Sequence, residues 1–471
     1  MSEPDELPPR RRAWAMAVIW VGLAMSVLDT SIANVALPTI AHEMRATASE
    51  SIWVINAYQL GMVMLLLPLA AFSERLGYNR VYLGGMIAFS LASLICVFAP
   101  NLVVLALGRG LQGMGAAGVM GMNAGLLRTI LPRRLLGRML GANAFVIGTF
   151  TAAAPTIASG ILALGSWRWL FAVNVPFCIF ALAMGVVALP ANTLEHRPFD
   201  WKSALMSGGL FCFLVVGADL ISRKVQVGLG GVMLVAAGGL AAVLVKGSWD
   251  RPAPLFPVDL LRIPIFGLSL ATSTTSFCAQ LIAAVTMPFL FQQGLHRSVL
   301  ETGVLMTPWP VGTAIASAVA GYLADKAPGA ILNSCGLLVM AAGLFLLATM
   351  PGDVDNLGIV WRTAICGAGF GFFQSPNNRT MVLATPRSRG GATGGCIATA
   401  RVTGQSLGAV LVALLFGLLP IAEAGRLCLG FAGALGVIAA IVSSLRLAHS
   451  LPGESSRAAD VDAEVEASAE A

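Results

Sequence analysis

Charge is what this sequence has least of. Asp, Glu, Lys and Arg make up 11% of its 471 residues, against about 25% in an ordinary soluble domain. A chain so poor in charge does not cover itself with a water-facing surface. Histidine is nearly missing too, and the four present fall in loops or at the ends of apolar runs. The eight cysteines stand singly, without a CxxC pair or ligand-like spacing. That excludes a disulfide framework and argues against a metal site, so we read them as core residues. No GxxxxGK[ST] occurs, and the loops are too short for a nucleotide-binding domain. No cofactor and no metal are expected, and no enzyme. The short alternating segments of a membrane β-barrel are absent as well.

What fills the chain instead is long apolar runs. Hydrophobic residues account for 57% of it, and the mean hydropathy is +0.82. Fourteen runs, from 14–37 to 427–445, are long enough to cross ~30 Å of hydrocarbon, which takes about 20 helical residues. The fold class expected is therefore an all-α polytopic membrane protein with fourteen transmembrane helices. The first run follows Arg10, Arg11 and Arg12 as a signal peptide would, but it continues past any ordinary h-region, so it reads as an uncleaved helix. The net charge of +6 sits in short loops, where it orients the chain in a bilayer; it is not a nucleic-acid signal. An even number of spans puts both termini on one side. If that side is cytoplasmic it carries 19 Lys and Arg, and the other side 7, so both termini are placed in the cytoplasm.

The longest internal hydrophilic breaks, 190–202 and 246–262, bracket spans 7 and 8. The expected organisation is a cytoplasmic tail (1–13), a six-helix bundle (14–190), a two-helix insert (191–258), a second six-helix bundle (259–446) and a disordered acidic tail (447–471). A weak echo relates the two bundles. "AAFSERLG" after span 2 and "GYLADKAPG" after span 10 each carry a small residue, an acid four positions later and then a base. Parallel repeats of this kind build transporters with a site between the halves.

Within this apolar chain a few charges are costly. Asp29 is the only charge in the run that begins at Trp14. A mid-span Asp costs about 3 kcal/mol on insertion scales and marks an ion or substrate pathway, or a structural ion pair. It lies nine residues before Pro38, about 13 Å beneath the outer surface. In span 4, Arg109 of "LGRGLQGMGAAG" lies about 10 Å deep on the same side. Gln112 shares its helix face, while Gly113 and Gly115 would let another helix approach. We expect Asp29 and Arg109 to meet, with Gln112 close by. Span 5, "GANAFVIGTFTAAAPTIASG", holds Gly148, Pro155 and Gly160 and reads as a thin, closely packed helix. Asn34, Asn56, Tyr58, Asn174, Gln280, Gln374 and Asn378 are further candidates for a cavity lining. Asp219, near the end of span 7, reads as solvated.

These stretches resemble the fourteen-helix drug:proton antiporter branch of the major facilitator superfamily, over residues 14–445. "LDTSIANVALP" is the most specific, joined by "WVINAYQL", "GRGLQGMGAAG", "WRWLFAVNVP", "FDW" and "GATGGCIATARVTGQSLGAV". The resemblance implies the major facilitator fold, two six-helix bundles plus two extra helices, rocking in alternating access. It implies proton-coupled export of hydrophobic, often cationic compounds from a bacterial inner membrane. Substrate and protons would be the partners, and the protein a monomer. Asp29, Arg109 and Gln112 would couple proton to substrate, and Glu74, Arg75, Gly77 and Asp325 would gate the cytoplasmic face. Two departures stand out. The loop after span 2 has Ala70 and Glu74 where the branch usually has Gly and Asp, and the span 5 motif reads "APTIAS", keeping Pro155 but not the usual glycines. The alternatives are a narrow exporter of one metabolite, siderophore or neutral antibiotic, and a non-transporting membrane sensor.

Overall fold

The computed structural model describes residues 7–131, 133–190, 200–222, 226–249, 258–324, 327–385 and 390–448. These are almost entirely helical, and no strand occurs among them. The long helices are α1 (Pro9–Glu43), α2 (Trp53–Leu76), α3 (Tyr78–Val97), α4 (Leu102–Ile130), α5 (Arg133–Leu164), α6 (Asn174–Ala188), α7 (Trp201–Ser222), α8 (Val227–Ser248), α9 (Pro264–Phe289), α10 (Pro308–Leu323), α11 (Gly329–Ala348), α12 (Asn356–Leu383), α13 (Gly390–Leu418) and α14 (Ile421–Ser444). Short helices lead into three of them: Ala48–Ser51 into α2, Trp169–Ala172 into α6 and Val299–Met306 into α10. Thirteen of the described helices are long and apolar enough to cross a membrane. The expected span at 359–382 is the exception. It forms α12 at full length, but Arg362, Gln374, Asn377, Asn378 and Arg379 make it the most polar of the bundle helices.

The helices turn their apolar sides outward. On α3, Ile87, Leu91, Leu94, Ile95 and Phe98 are exposed along one stripe, while Met86, Phe89, Ser90, Ser93 and Cys96 face inward. That polarity suits a lipid solvent, in which burial is not driven by hydrophobicity and small or polar residues hold helices together. Backbone contact replaces side-chain bulk at the tightest crossings. A Cβ at Gly113 of α4 would overlap the Tyr58 carbonyl oxygen of α2, and one at Gly367 of α12 would overlap that of Trp309 in α10.

These two crossings belong to a repeat. In the first half α4 packs on α2 and α3, α1 on α5 and α6, and α3 on α6; in the second α12 packs on α10 and α11, α9 on α13 and α14, and α11 on α14. Adding eight to each label of the first set gives the second. The caps repeat as well. Thr47 and Glu50 form a capping box ahead of α2, and Ser298 and Glu301 form one ahead of α10. Asn101 caps α4 through its side chain, and Asp355 caps α12. Each cap satisfies amides that the first helical turn leaves without partners.

The halves meet along α1 with α9 and along two related seams, α2 with α13, and α5 with α10 and its entry helix. At the end opposite the termini the seams are joined by hydrogen bonds. Ser49 donates to the Ala413 carbonyl at 2.8 Å, and the hydroxyls of Thr156 and Thr307 lie 2.8 Å apart. Helix α7 packs on both α2 and α13, whereas α8 leans mainly on α7. Asp219 of α7 is buried, not solvated as its place near the helix end suggested. It accepts a hydrogen bond from Trp53 Nε1 of α2 at 3.0 Å, so the neighbouring helix supplies what water would have.

Candidate functional site

Helices α1, α4 and α6 bring together the most polar buried cluster of the first half. Asp29 pairs with Arg109 through Oδ2. Both side chains are 1% exposed. The second carboxylate oxygen accepts from Gln112 Nε2 and from Asn174 Nδ2, each at 2.9 Å. Gln112 Oε1 in turn accepts from Arg109 at 2.7 Å, and its amide also reaches Ser93 Oγ at 3.0 Å. Arg109 has its remaining partners on α2 and beside it. Nε donates to the Val54 carbonyl at 3.0 Å, and the guanidinium lies over the Tyr58 ring at 4.3 Å and the Phe171 ring at 5.5 Å.

A buried ion pair is tolerated only when nearly every donor and acceptor around it is used, because the cost of taking two charges out of water is large. Here Asp29 receives three donors. The depth estimate from Pro38 and Leu102 put Asp29 and Arg109 in one layer, and the structure joins them, with Gln112 at the contact. Asn174 is drawn into this cluster and does not line a cavity. Ser93 was not foreseen: a serine in an apolar run carries no mark of its partner.

An open cleft of about 120 Å³ lies in the second half, lined by α9, α12 and α13. Gln374 and Asn378 line it from one face of α12, one turn apart, together with Phe277 of α9 and Arg401 of α13. Arg401 reaches across to Met120 Sδ of α4 at 3.9 Å. One turn on, Gln405 accepts from Gln59 of α2 at 3.1 Å. The other expected lining residues are elsewhere. Asn34 and Asn56 are buried, with Asn34 Oδ1 and both polar atoms of Asn56 lacking hydrogen-bond partners. Tyr58 sits under Arg109, and Gln280 Oε1 is buried without a partner. A basic residue in an apolar run reads first as a topology marker, so residue type alone does not single out Arg401 as a site. Its spacing from Gly394, Ala398 and Gln405 (steps of four, three and four) marks one helix face and was the available signal.

The second half has a buried polar cluster of its own on the corresponding helices α9, α12 and α14. Arg446, 2% exposed, donates to Asn377 Oδ1 at 2.7 Å and Ser269 Oγ at 2.8 Å. Among the described residues it has no carboxylate.

In the loop after α2, Gly77 has φ 100° and ψ 137°, a conformation that favours glycine. Arg75 is exposed in the last turn of α2. The side chain of Glu74 and all of Asp325 lie outside the described residues. On α5 the expected close packing is displaced. Apart from α5's own backbone and the adjacent residues, no atom of the described residues comes within 4 Å of a Cβ built at Gly148 or Gly160. The tight contact comes from the other partner: a Cβ at Gly303, in the entry helix of α10, would overlap Ser159 and the Pro155 carbonyl. Composition shows that a helix is thin; it does not show which small residue meets a neighbour.

The family model of the Major Facilitator Superfamily matches residues 19–409 and 276–465. The chain belongs to the major facilitator superfamily. It is 44% identical to the uncharacterized transporter YebQ of Escherichia coli (strain K12), over 94% of this chain and 98% of that protein. It is 26% identical to the riboflavin transporter RibZ of Clostridioides difficile (strain 630), over 86% of this chain and 89% of that protein. It is 29% identical to the multidrug resistance protein Stp of Mycobacterium tuberculosis, over 82% of this chain and 73% of that protein. Its fold matches a crystallised bacterial homolog of the human lysosomal transporter Spinster, with TM-score 0.67 at 14% identity, over 93% of this chain and 97% of that one. The resemblance to the drug:proton antiporter branch of the superfamily holds, and superfamily members are transporters rather than enzymes.

Proposed function

We propose that this major facilitator protein is a proton-coupled exporter of hydrophobic small molecules. It works by alternating access, as a monomer with fourteen spans and both termini in the cytoplasm of a bacterial inner membrane. The observation that carries the reading is the buried Asp29–Arg109 pair closed by Gln112 and Asn174. A proton on Asp29 cancels one charge of the pair. Arg109 keeps its hold on α2 through the Val54 carbonyl and the Tyr58 ring. Protonation therefore loosens α1 and α6 from α4 while leaving α2 and α4 together. Because α1 packs on α9 of the other half, this loosening is passed to the contact between halves. Asp29 is engaged by three donors of its own, so its part in this scheme is to gate a proton. Gly148, Pro155 and Gly160 mark the helix that slides on the α10 entry helix, and Glu74, Arg75, Gly77 and Asp325 gate the terminal end.

Export of many drugs follows the name of the mycobacterial relative, and a single metabolite as cargo follows that of the clostridial one. The second reading gains from the polar side chains Gln374, Asn378 and Arg401 in the cleft.

The test is the double variant Asp29→Asn/Arg109→Gln, which removes the titrating group without stranding a buried cation. In inverted vesicles with matched protein levels it should lose dye uptake driven by a proton gradient. Uptake near the wild-type rate, still abolished by an uncoupler, would place coupling elsewhere.

A further inference from the structure

Among the described residues, the charges that face the middle of this molecule do not balance. Asp29 is offset by Arg109 within one closed cluster. The other buried acid of a span, Asp219, is held by Trp53 near the end opposite the termini. Arg401 adds a guanidinium that has no carboxylate partner among the described residues. Its hydrogen-bond partner there is the thioether of Met120 at 3.9 Å. A guanidinium carries five N–H donors in a fixed fork, and a thioether is a weak acceptor for one of them. Arg401 stands between the halves, projecting from α13 toward α4 and within coulombic range of Tyr58 on α2. It also lines the open cleft, with the Phe277 ring and the amides of Gln374 and Asn378. A cation entering this space meets uncompensated positive charge in surroundings that screen poorly.

We infer that the cleft takes the acidic group (carboxylate, sulfonate or phosphate) of a small amphipathic organic anion, held by Arg401, with the apolar or aromatic body starting against Phe277 and extending out through the open side of the cleft. The inference rests on the exporter reading and names the charge class of its cargo. Arginine suits the task because its planar fork meets two oxygens of an acidic group at once and keeps its charge throughout a proton cycle. Gln374 and Asn378 can accept or donate, so they fit the polar edge of the same molecule without adding charge.

Three dansyl probes with one fluorophore separate the possibilities: dansylglycine (anionic), dansylamide (neutral) and dansylcadaverine (cationic). Binding to the purified full-length protein in detergent should be tightest for dansylglycine and weakest for dansylcadaverine. Arg401→Gln should weaken dansylglycine at least tenfold and change dansylamide little, with Arg401→Lys in between. The proposal is overturned if the wild type shows no saturable binding of dansylglycine, or if dansylcadaverine binds as tightly. It is also overturned if a folded Arg401→Gln protein binds dansylglycine unchanged. Should that variant not fold, the order of the three probes on the wild type decides. Inverted vesicles separate this question from the exporter reading. Uncoupler-sensitive accumulation favouring dansylcadaverine would sink the anion site and keep the exporter. Dansylglycine binding lost in Arg401→Gln, with uncoupler-insensitive accumulation, would keep the site and sink proton coupling.

Discussion

Asp29 takes three side-chain donors from two other helices, and each is replaceable only at a cost that differs in kind. Asp29→Asn leaves Arg109 buried without a counter-charge, a loss of about 3–5 kcal/mol by analogy with broken buried pairs. Its thermal midpoint in detergent should fall well below that of Asp29→Asn/Arg109→Gln, which restores neutrality. Equal midpoints would mean that leaving Arg109 without its counter-charge costs the fold nothing. Asn174→Ala removes one neutral donor from a charged acceptor, worth about 1.5–3 kcal/mol, so it should sit between wild type and Asp29→Asn in the same measurement. The layer shared by the pair could be read from the sequence by counting 1.5 Å per residue from Leu102, where α4 begins, and from Pro38, although α1 runs on through Pro38 to Glu43 and Pro38 is not its end. Asn174 and Ser93 could not be assigned to it. A polar residue in a span has no sign of which way round its helix it points until the neighbours are known.

Close helix crossings are made by particular glycines, and abundance of glycine does not reveal them. Gly113→Ala and Gly367→Ala each push a methyl into a carbonyl oxygen of the next helix. Each should lower the thermal midpoint clearly. Gly148→Ala and Gly160→Ala meet no neighbour among the described residues and gain helix propensity, about 1 kcal/mol per substitution, so they should leave the midpoint unchanged or raised. A fall for both of the latter would show that α5 packs through those glycines after all. The order of the long helices was legible because apolar run length carries it directly. The repeat was visible only as a weak loop echo, part of which falls on Asp325, outside the described residues. Its better record is the S/T-x-x-E pattern at Thr47 and Ser298, a weak signal alone that becomes specific once both copies are seen to open equivalent helices. The helix α12 shows the opposite limit: Gln374 and Asn378 on the cleft, with Asn377 bonded to α9 and Arg446, lower the very hydropathy by which a span is recognised.

The halves of the whole molecule are fastened at the end opposite the termini, and the alternating access we propose requires that fastening to open. A Thr156→Cys/Thr307→Cys protein, in a Cys335→Ser background because Cys335 is the exposed native thiol, should form a cross-link across the α5–α10 seam. Oxidation should arrest transport and reduction restore it. Full transport by the cross-linked protein would mean that this seam stays shut throughout the cycle. The two seams are alike in the repeat but not in their surroundings. On one, α7 lies across α2 and α13 and is tied by Asp219 to Trp53; on the other, the described residues of α7 and α8 make no comparable packing with α5 or α10. Seen from the bilayer, the described residues therefore leave one flank shuttered by α7 and the flank where α5 meets α10 bare.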